Sequence, residues 1–153
     1  MNELRNKIIE IAKSKLGYTE SPANSNHTMF GEWFGVDGVA WCGIFCSWCY
    51  AMAGKIIEHG GFSKGFAGCG TAMINFKDKI TKEPQPADLV IFDWNADQKP
   101  DHVGLFLQWT DSEKGLFETI EGNTSPSNQS NGGQVLKRER NVRQVQAFIN
   151  LIG

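Results

Sequence analysis

The sequence predicts an α+β protein in which N-terminal helices pack on a mainly antiparallel β-sheet. Helical patterns occupy the first half of the 153 residues, and strand-like segments occupy the second half. The two kinds of segment do not alternate, so the helical crossovers of a parallel sheet are missing. With 41% hydrophobic residues, a chain of this length can bury a substantial core. We therefore expect residues 1–153 to form a single domain.

The helical segments are defined by the spacing of their apolar residues. Leu4, Ile8 and Ile11 recur at helical spacing, which predicts an amphipathic helix over residues 2–16. Residues 41–53 are small or apolar and contain no proline, so a largely buried helix is expected there. Shorter helices are predicted at residues 29–34, within an otherwise loop-like stretch, and at residues 70–79.

The second half of the chain is typical of strands separated by turns. After Pro86, segments rich in β-branched and aromatic residues are bounded by Gly, Asn and Asp. The predicted strands are residues 88–94, 102–109, 115–121, 134–140 and 145–151. Because no helical segments intervene, we expect these strands to pair mainly antiparallel.

Composition and charge exclude several classes of partner. The 15 basic and 17 acidic side chains give a formal net charge of −2, which provides no electrostatic basis for binding nucleic acid or an anionic membrane. The first residues lack the apolar run of a secretory signal, and no segment could span a bilayer. We expect a monomer that is made in the cytoplasm and binds its ligand through a shaped site.

Three cysteines, Cys42, Cys46 and Cys49, lie in the helix predicted over residues 41–53. If Cys42 opens that helix, unpaired backbone N–H groups and the helix dipole favour its thiolate. Such a position, together with an imidazolium, can bring the pKa of a thiol to about 3.5–7.5. The other two cysteines follow on the same stripe of the helix. The pattern predicts one reactive thiol and two buried ones, all reduced.

The cysteines also permit two metal-based interpretations. The spacing Cys-x3-Cys-x2-Cys matches the motif that holds an iron–sulfur cluster in radical S-adenosylmethionine enzymes. Those enzymes are built on a large barrel of alternating strands and helices, a pattern that is absent here. A zinc site that combines Cys69 with His27 or His59 would lack paired ligands at zinc spacing. We expect no metal and no cofactor.

A second set of candidate site residues lies on two neighbouring strands. Opposed residues of an antiparallel hairpin have numbers with a constant sum, so a turn within residues 110–114 would pair His102 with Glu121. The Cβ atoms of such a pair lie about 4.5–5.5 Å apart, within reach of an imidazole–carboxylate hydrogen bond. The same register would pair Phe106 with Phe117. The alternative interpretation of His102 and Glu121 is an ordinary cross-strand pair on the surface, which would contribute at most ~1 kcal/mol.

Asn123 follows Glu121 by two residues and would project to the same side if the strand continued. From spacing alone, capping of the turn into residues 124–126 is the stronger interpretation. A thiol, an imidazole and an acceptor that holds the imidazole are the minimal set for nucleophilic attack on an amide. The order Cys42, His102, Glu121 therefore predicts a cysteine hydrolase.

Three stretches of the chain resemble the CHAP family, the cysteine, histidine-dependent amidohydrolases and peptidases that cut bacterial cell walls. These stretches are residues 40–49, residues 86–92 leading into residues 101–105, and residues 120–124. The resemblance covers essentially the whole chain and implies a papain-like fold. It further implies that Cys42 is the nucleophile, His102 the general base and acid, Glu121 the residue that orients His102, and Asn123 an auxiliary orienter.

The resemblance also implies a substrate and a setting. The substrate would be bacterial peptidoglycan, cut as by an N-acetylmuramoyl-L-alanine amidase or a stem-peptide endopeptidase, and the site of action the cell wall after release, as for a phage endolysin. Some relatives carry an Asp-rich calcium loop before the cysteine, for which Asp37 and Glu32 offer too few oxygen ligands. A catalytically silent wall-binding or structural module of the same fold is the alternative. Candidates for the walls of the cleft are Trp33, Phe34, Trp41, Trp94 and Trp109.

Overall fold

The computed structural model describes residues 2–153, in which helices come first and strands later. The helices are Glu3–Lys13 (α1), Met29–Phe34 (α2), Cys42–Met52 (α3) and Cys69–Asn75 (α4), with short 3-10 helices at Lys77–Lys79 and Val142–Gln144. The strands are Ile80–Thr81 (β1), Leu89–Phe92 (β2), His102–Asp111 (β3), Leu116–Thr124 (β4), Gln134–Asn141 (β5) and Val145–Ile149 (β6). The sequence did not predict β1, whose two residues are too few for a recognisable pattern.

The strands form one antiparallel sheet in the order β1-β6-β2-β3-β4-β5. Helix α3 packs against β3 and β4, while α1 and α2 pack against α3. This arrangement of helices on an antiparallel sheet confirms the predicted α+β fold class. Within residues 2–153, no helix is long and apolar enough to cross a membrane.

Helix α3 is buried because its sequence offers almost no polar side chain. Residues 42–50 are all buried, and the one hydroxyl among the first six, that of Ser47, donates to the carbonyl of Gly43 at 3.0 Å. Phe30 of α2 stacks on Trp41 with ring centroids 5.6 Å apart and meets Phe45 edge-on at 5.1 Å. The start of α3, where Cys42 lies, is therefore held by aromatic packing.

A buried ion pair fixes the entry into β2, the neighbour of β3. Arg5 of α1 and Asp88 are both buried, and Arg5 Nη1 lies 2.7 Å from the Asp88 carboxylate. The same nitrogen donates to the carbonyl of Pro86 at 2.9 Å. The hydroxyl of Tyr50 in α3 donates to the carbonyl of Ala87 at 2.7 Å. These contacts join α1, α3 and the strand against which β3 pairs.

The register of the β3–β4 hairpin differs from the predicted one. Phe106 pairs with Thr119, whereas the constant-sum argument paired it with Phe117, so the prediction is wrong by two positions. Irregularities after Phe106 and after Trp109 shift the pairing, and the turn occupies residues 112–115. Each irregularity places an extra residue in β3, as β-bulges do, and a constant sum cannot account for them.

The corrected register changes how Glu121 reaches His102. A Cβ atom added at Gly104 would lie 2.6 Å from Glu121 Cγ, so the side chain of Glu121 occupies the space above Gly104. His102 is two residues away along β3, and the two side chains meet diagonally across the strands. Diagonal neighbours are farther apart than opposed ones, but long side chains still reach each other.

Helix α3 approaches β4 closely at Gly122. A Cβ atom at this position would lie 2.7 Å from Phe45 Cβ and 2.9 Å from Trp41 Cζ3. Contacts this short do not occur between real side chains. The absence of a side chain at Gly122 therefore sets the distance between the helix that carries Cys42 and the strand that carries Glu121.

We expect Gly122→Ala to lower the free energy of unfolding by about 1–3 kcal/mol, since the added methyl group would force α3 away from β4. Chemical denaturation measures this change. Gly70→Ala is the control, because a Cβ atom there meets nothing within 4 Å and alanine favours a helix. Equal stabilities for the two variants would contradict the close approach.

Candidate active site

Cys42 lies at the start of α3, as the sequence predicted. The preceding residue, Trp41, gives no side-chain hydrogen bond to the first turn, so the N–H groups there lack a side-chain cap. Cys42 is 6% exposed, whereas Cys46 and Cys49 are completely buried. The helix therefore carries one slightly exposed thiol at its N-terminus and two thiols in the core.

The surroundings of Cys42 favour its thiolate. Burial alone would raise the pKa of this thiol, but the charge of the neighbouring His102 and the backbone N–H groups of Val103 and Gly43 outweigh burial and lower the pKa. Burial, with no comparable compensation, raises the pKa of Cys46 well above its usual range. Of the two thiols, Cys42 is the one whose surroundings favour the thiolate form.

His102 is the first residue of β3 and is completely buried. Its Nε2 lies 3.1 Å from Glu121 Oε1, while its Nδ1 has no hydrogen-bond partner within residues 2–153. Burial acts to lower the pKa of His102, but the charge of Cys42, the contact of the ring with the Cys42 side chain and the hydrogen bond to Glu121 raise the pKa to about 9. The lowered pKa of Cys42 and the raised pKa of His102 both favour the thiolate–imidazolium form of the pair.

Glu121 is completely buried and makes polar contacts with three side chains. In addition to His102, its carboxylate accepts a hydrogen bond from the hydroxyl of Thr119 and two from Arg140, at 2.8 Å from Nε and 2.6 Å from Nη2. Burial would raise the pKa of Glu121, but the hydrogen bonds from Arg140 and His102 lower it to about 2. Glu121 is therefore an anion throughout the physiological pH range.

Sequence reasoning missed Arg140. A signal was present, because the strand predicted over residues 134–140 ends in an arginine, and strands that follow one another usually pair. In the structure β4 pairs with β5 and Phe117 lies opposite Arg140. The long polar segment between these strands left their register open, so no residue of β5 could be assigned to Glu121 from the sequence.

Asn123 contacts the loop that precedes β5. Its backbone is in the left-handed region, with φ at 59°. Its side-chain oxygen accepts from the N–H of Gly133 at 3.0 Å, and its side-chain nitrogen donates to Asn131 at 3.2 Å. The structure brings Cys42, His102 and Glu121 together, but both amide groups of Asn123 are engaged by the loop. Its role as an auxiliary orienter stays a prediction.

A cavity of about 380 Å³ opens beside Cys42. Its walls are mainly apolar and include Val36, Val39 and Phe62, and Asp101 is the charged side chain among its lining residues within the described chain. An apolar cleft with few polar groups is typical of a site that binds a small ligand or a segment of a larger one.

The aromatic residues predicted to form the cleft walls do not line this cavity. Trp41 is completely buried and donates from Nε1 to Glu20 at 3.1 Å. Trp94 stacks on Phe92, with ring centroids 4.7 Å apart. Trp41 and Phe34 are buried in the core, where large aromatic side chains gain most, whereas Trp33 and Trp94 are half-buried and Trp109 is exposed. The residues concerned are Trp33, Phe34, Trp41, Trp94 and Trp109.

Metal-binding groups come together at one place within residues 2–153. Oxygens of Asp93, Asp97 and Asp101 lie within 4.8 Å of one another. The Asp93 carboxylate accepts from the N–H of Asp97 at 3.3 Å and of Gln98 at 2.8 Å, and Asp101 accepts from the N–H of Trp94 at 2.8 Å. These bonds account for the cluster as part of the loop between β2 and β3, and we assign no metal to it.

The cysteine and histidine sets considered for a cluster or for zinc do not gather in this way within the described chain. His27 instead contacts Asp37, with 2.7 Å between Nδ1 and Oδ2.

Comparisons with known proteins bear on the fold and the family of this chain. A solved structure, described as the crystal structure of a wild type endolysin LysIME-EF1, matches with a TM-score of 0.56 and 12% sequence identity, over 98% of this chain and 64% of that one. At this identity the likeness concerns the fold, and this chain spans less than two thirds of the endolysin's length. No curated protein matches. The CHAP domain matches residues 34–123, which is more than half of the chain. The chain therefore belongs to the CHAP domain family, whose members are typically cysteine-dependent amidases or peptidases of peptidoglycan.

Proposed function

We propose that this protein hydrolyses an amide bond of bacterial peptidoglycan, with Cys42 as nucleophile and His102 as general base and acid. The observation that carries the proposal is the state of the His102 ring. Glu121 holds Nε2, and Nδ1 is buried without a hydrogen-bond partner in residues 2–153, beside a thiol whose pKa is lowered. One ring nitrogen is fixed and the other is free to exchange a proton.

The reaction follows from this arrangement. The Cys42 thiolate attacks the carbonyl carbon, and the resulting oxyanion accepts a hydrogen bond from the Cys42 N–H at the start of α3. The imidazolium of His102 gives its proton to the leaving amine, and the C–N bond breaks to leave a thioester. Water then attacks the thioester, with its proton taken by His102, which releases the acid and restores the thiolate–imidazolium pair.

Glu121 and Asn123 have supporting roles in this proposal. Glu121 fixes the orientation of the His102 ring and balances the positive charge of the imidazolium, as the third member of such triads does. Asn123, the auxiliary orienter, acts through the loop that its amide holds at Gly133 and Asn131.

The catalytic unit in this proposal is the whole of residues 1–153. The CHAP match ends at residue 123, but β5 and β6 complete the sheet. Two bonds are candidates for cleavage, the one next to the lactyl group of the sugar and one within the stem peptide. Mass spectrometry of fragments released from defined muropeptides distinguishes an amidase from an endopeptidase.

We expect Cys42→Ala to slow the clearing of a cell-wall suspension by about a thousandfold or more, because the nucleophile is lost. Cys49→Ala is the matched control, since it removes a completely buried thiol from the same helix, and we expect it to keep most of the activity once folding is verified by circular dichroism. Wild-type clearing by Cys42→Ala would exclude the mechanism.

We expect iodoacetamide to modify Cys42 quickly near neutral pH, because alkylation requires the thiolate and the pKa of Cys42 is lowered. Peptide mass spectrometry locates the adduct, and loss of activity should follow its formation. If Cys42 reacted no faster than an ordinary thiol and the protein still bound cell walls, the alternative of a catalytically silent module would hold.

We expect Glu121→Gln to flatten the pH dependence of stability in acid. A carboxylate with a lowered pKa stabilises the fold fully above its unfolded-state pKa of about 4.3, and the contribution is lost as the pH falls toward the folded-state pKa of about 2. Denaturant unfolding between these pH values measures the slope. Glu118→Gln, which removes a carboxylate that contacts Lys137 and Gln108, should keep the wild-type slope. An unchanged slope for Glu121→Gln would contradict an ionised Glu121.

A further inference from the structure

Arg140 lies beyond the region matched to the CHAP domain, which ends at residue 123, yet it contacts the centre of the site. It is 4% exposed, and its Nε and Nη2 donate to the two oxygens of Glu121 at 2.8 and 2.6 Å. This is the two-pronged arrangement in which a guanidinium binds a carboxylate most strongly. The arginine thus fixes the plane of the carboxylate that holds His102.

The rest of the guanidinium is also held. Its Nη1 donates to Gln129 Oε1 at 2.6 Å, and its carbon lies 4.8 Å from the ring centroid of Trp94 and 5.3 Å from that of Phe92. The centroids of these two rings are each 6.0 Å from that of His102. Arg140 and His102 therefore contact the same pair of aromatic rings and the same carboxylate, which leaves Arg140 little freedom to move.

We propose that Arg140 is a positioning residue of the proposed hydrolase, which keeps the Glu121 carboxylate ionised and oriented so that His102 retains its proton and Cys42 its thiolate form. The inference rests on the proposed function, but it concerns the state of Cys42, which can be measured without a substrate.

The other charged groups around Glu121 and His102 cannot replace Arg140. From α3, the thiols of Cys42 and Cys46 face His102 and Glu121, and burial keeps Cys46 neutral. From β5, Arg138 is the other nearby cation. Its guanidinium donates instead to the Thr124 hydroxyl at 3.1 Å and to the carbonyl of Ser125 at 3.0 Å. Within residues 2–153, Arg140 is the cation besides His102 that hydrogen bonds to the Glu121 carboxylate.

Removal of Arg140 should therefore change the protonation of Glu121 first, then that of His102 and then that of Cys42. Without Arg140, the buried Glu121 carboxylate keeps only His102 as a cationic partner among the described residues, so its pKa rises, and a Glu121 that takes up a proton no longer stabilises an imidazolium. His102 then loses its proton at a lower pH, and Cys42 loses the charge that favours its thiolate. The pair would become a neutral thiol and a neutral imidazole at neutral pH.

The test is the pH profile of Cys42 alkylation by iodoacetamide, with the adduct located by mass spectrometry. We expect Arg140→Met to move the acidic limb to higher pH and to reduce the rate near pH 6 by about tenfold. Arg140→Lys, which keeps the charge but loses the paired hydrogen bonds, should lie between that variant and the wild type. Lys137→Met is the control, because it removes a cation of the same strand whose partner is Glu118 on the surface.

A double-mutant cycle separates positioning from a general loss of structure. Because Arg140 acts through the charge of Glu121, Arg140→Met combined with Glu121→Gln should give the alkylation profile of Glu121→Gln alone. Removing both charges also avoids leaving one of them buried and unpaired. If the single Arg140→Met variant does not fold, the double variant can therefore still be compared with Glu121→Gln. Additive shifts would overturn the proposal.

The outcomes separate the two proposals. A folded Arg140→Met variant, checked by near-ultraviolet circular dichroism, with the wild-type alkylation profile would overturn the role of Arg140 even if the wild type cuts peptidoglycan. A wild type that leaves peptidoglycan intact would overturn the proposed function, and a shifted profile for Arg140→Met would still support the role of Arg140 in activating Cys42.

Discussion

The candidate site depends on one buried negative charge, the carboxylate of Glu121. An isolated carboxylate in the core would be very costly, so it must be met by cations and hydrogen-bond donors with good geometry. His102 of β3 and Arg140 of β5 supply them from the two strands that flank β4. The pairing of these three strands and the electrostatics of the candidate site therefore constrain each other. A shift of either neighbouring strand would leave a charge unpaired.

The thiol reaches this charged group because three positions near the site have no side chain. Gly122 lets α3 approach β4, Gly104 leaves room for the side chain of Glu121, and a Cβ atom at Gly43 would lie 2.3 Å from the carbonyl oxygen of Ala67. Each glycine sits where two backbones, or a backbone and a side chain, come closer than a methyl group allows. Close packing thus sets how near the first turn of α3 comes to His102.

The sequence was most informative where one pattern determines one element. The apolar run that begins after Cys42 predicted α3 and the position of the thiol at its start, because a buried helix and its first residue are local properties. The β3–β4 register was wrong because the bulges in β3 arise from pairing and leave no sequence pattern. Arg140 was missed for a related reason, since the segment at residues 125–133 is too long and polar to fix how β5 aligns with β4.

That segment is held to the end of β4 by Asn123, whose side chain bonds to the loop and not to His102. Asn123 ends the part of β4 that carries Glu121, and its left-handed backbone turns the chain away from the strand. Its amide and its carbonyl hold Asn131, Gly132 and Gly133, after which β5 begins at Gln134. The position at which β5 begins sets the register in which Leu136 lies opposite Glu121 and Arg140 lies opposite Phe117. The guanidinium of Arg140 therefore reaches the Glu121 carboxylate from four residues farther along β5, and the role of Asn123 as an orienter of His102 through this register stays a prediction.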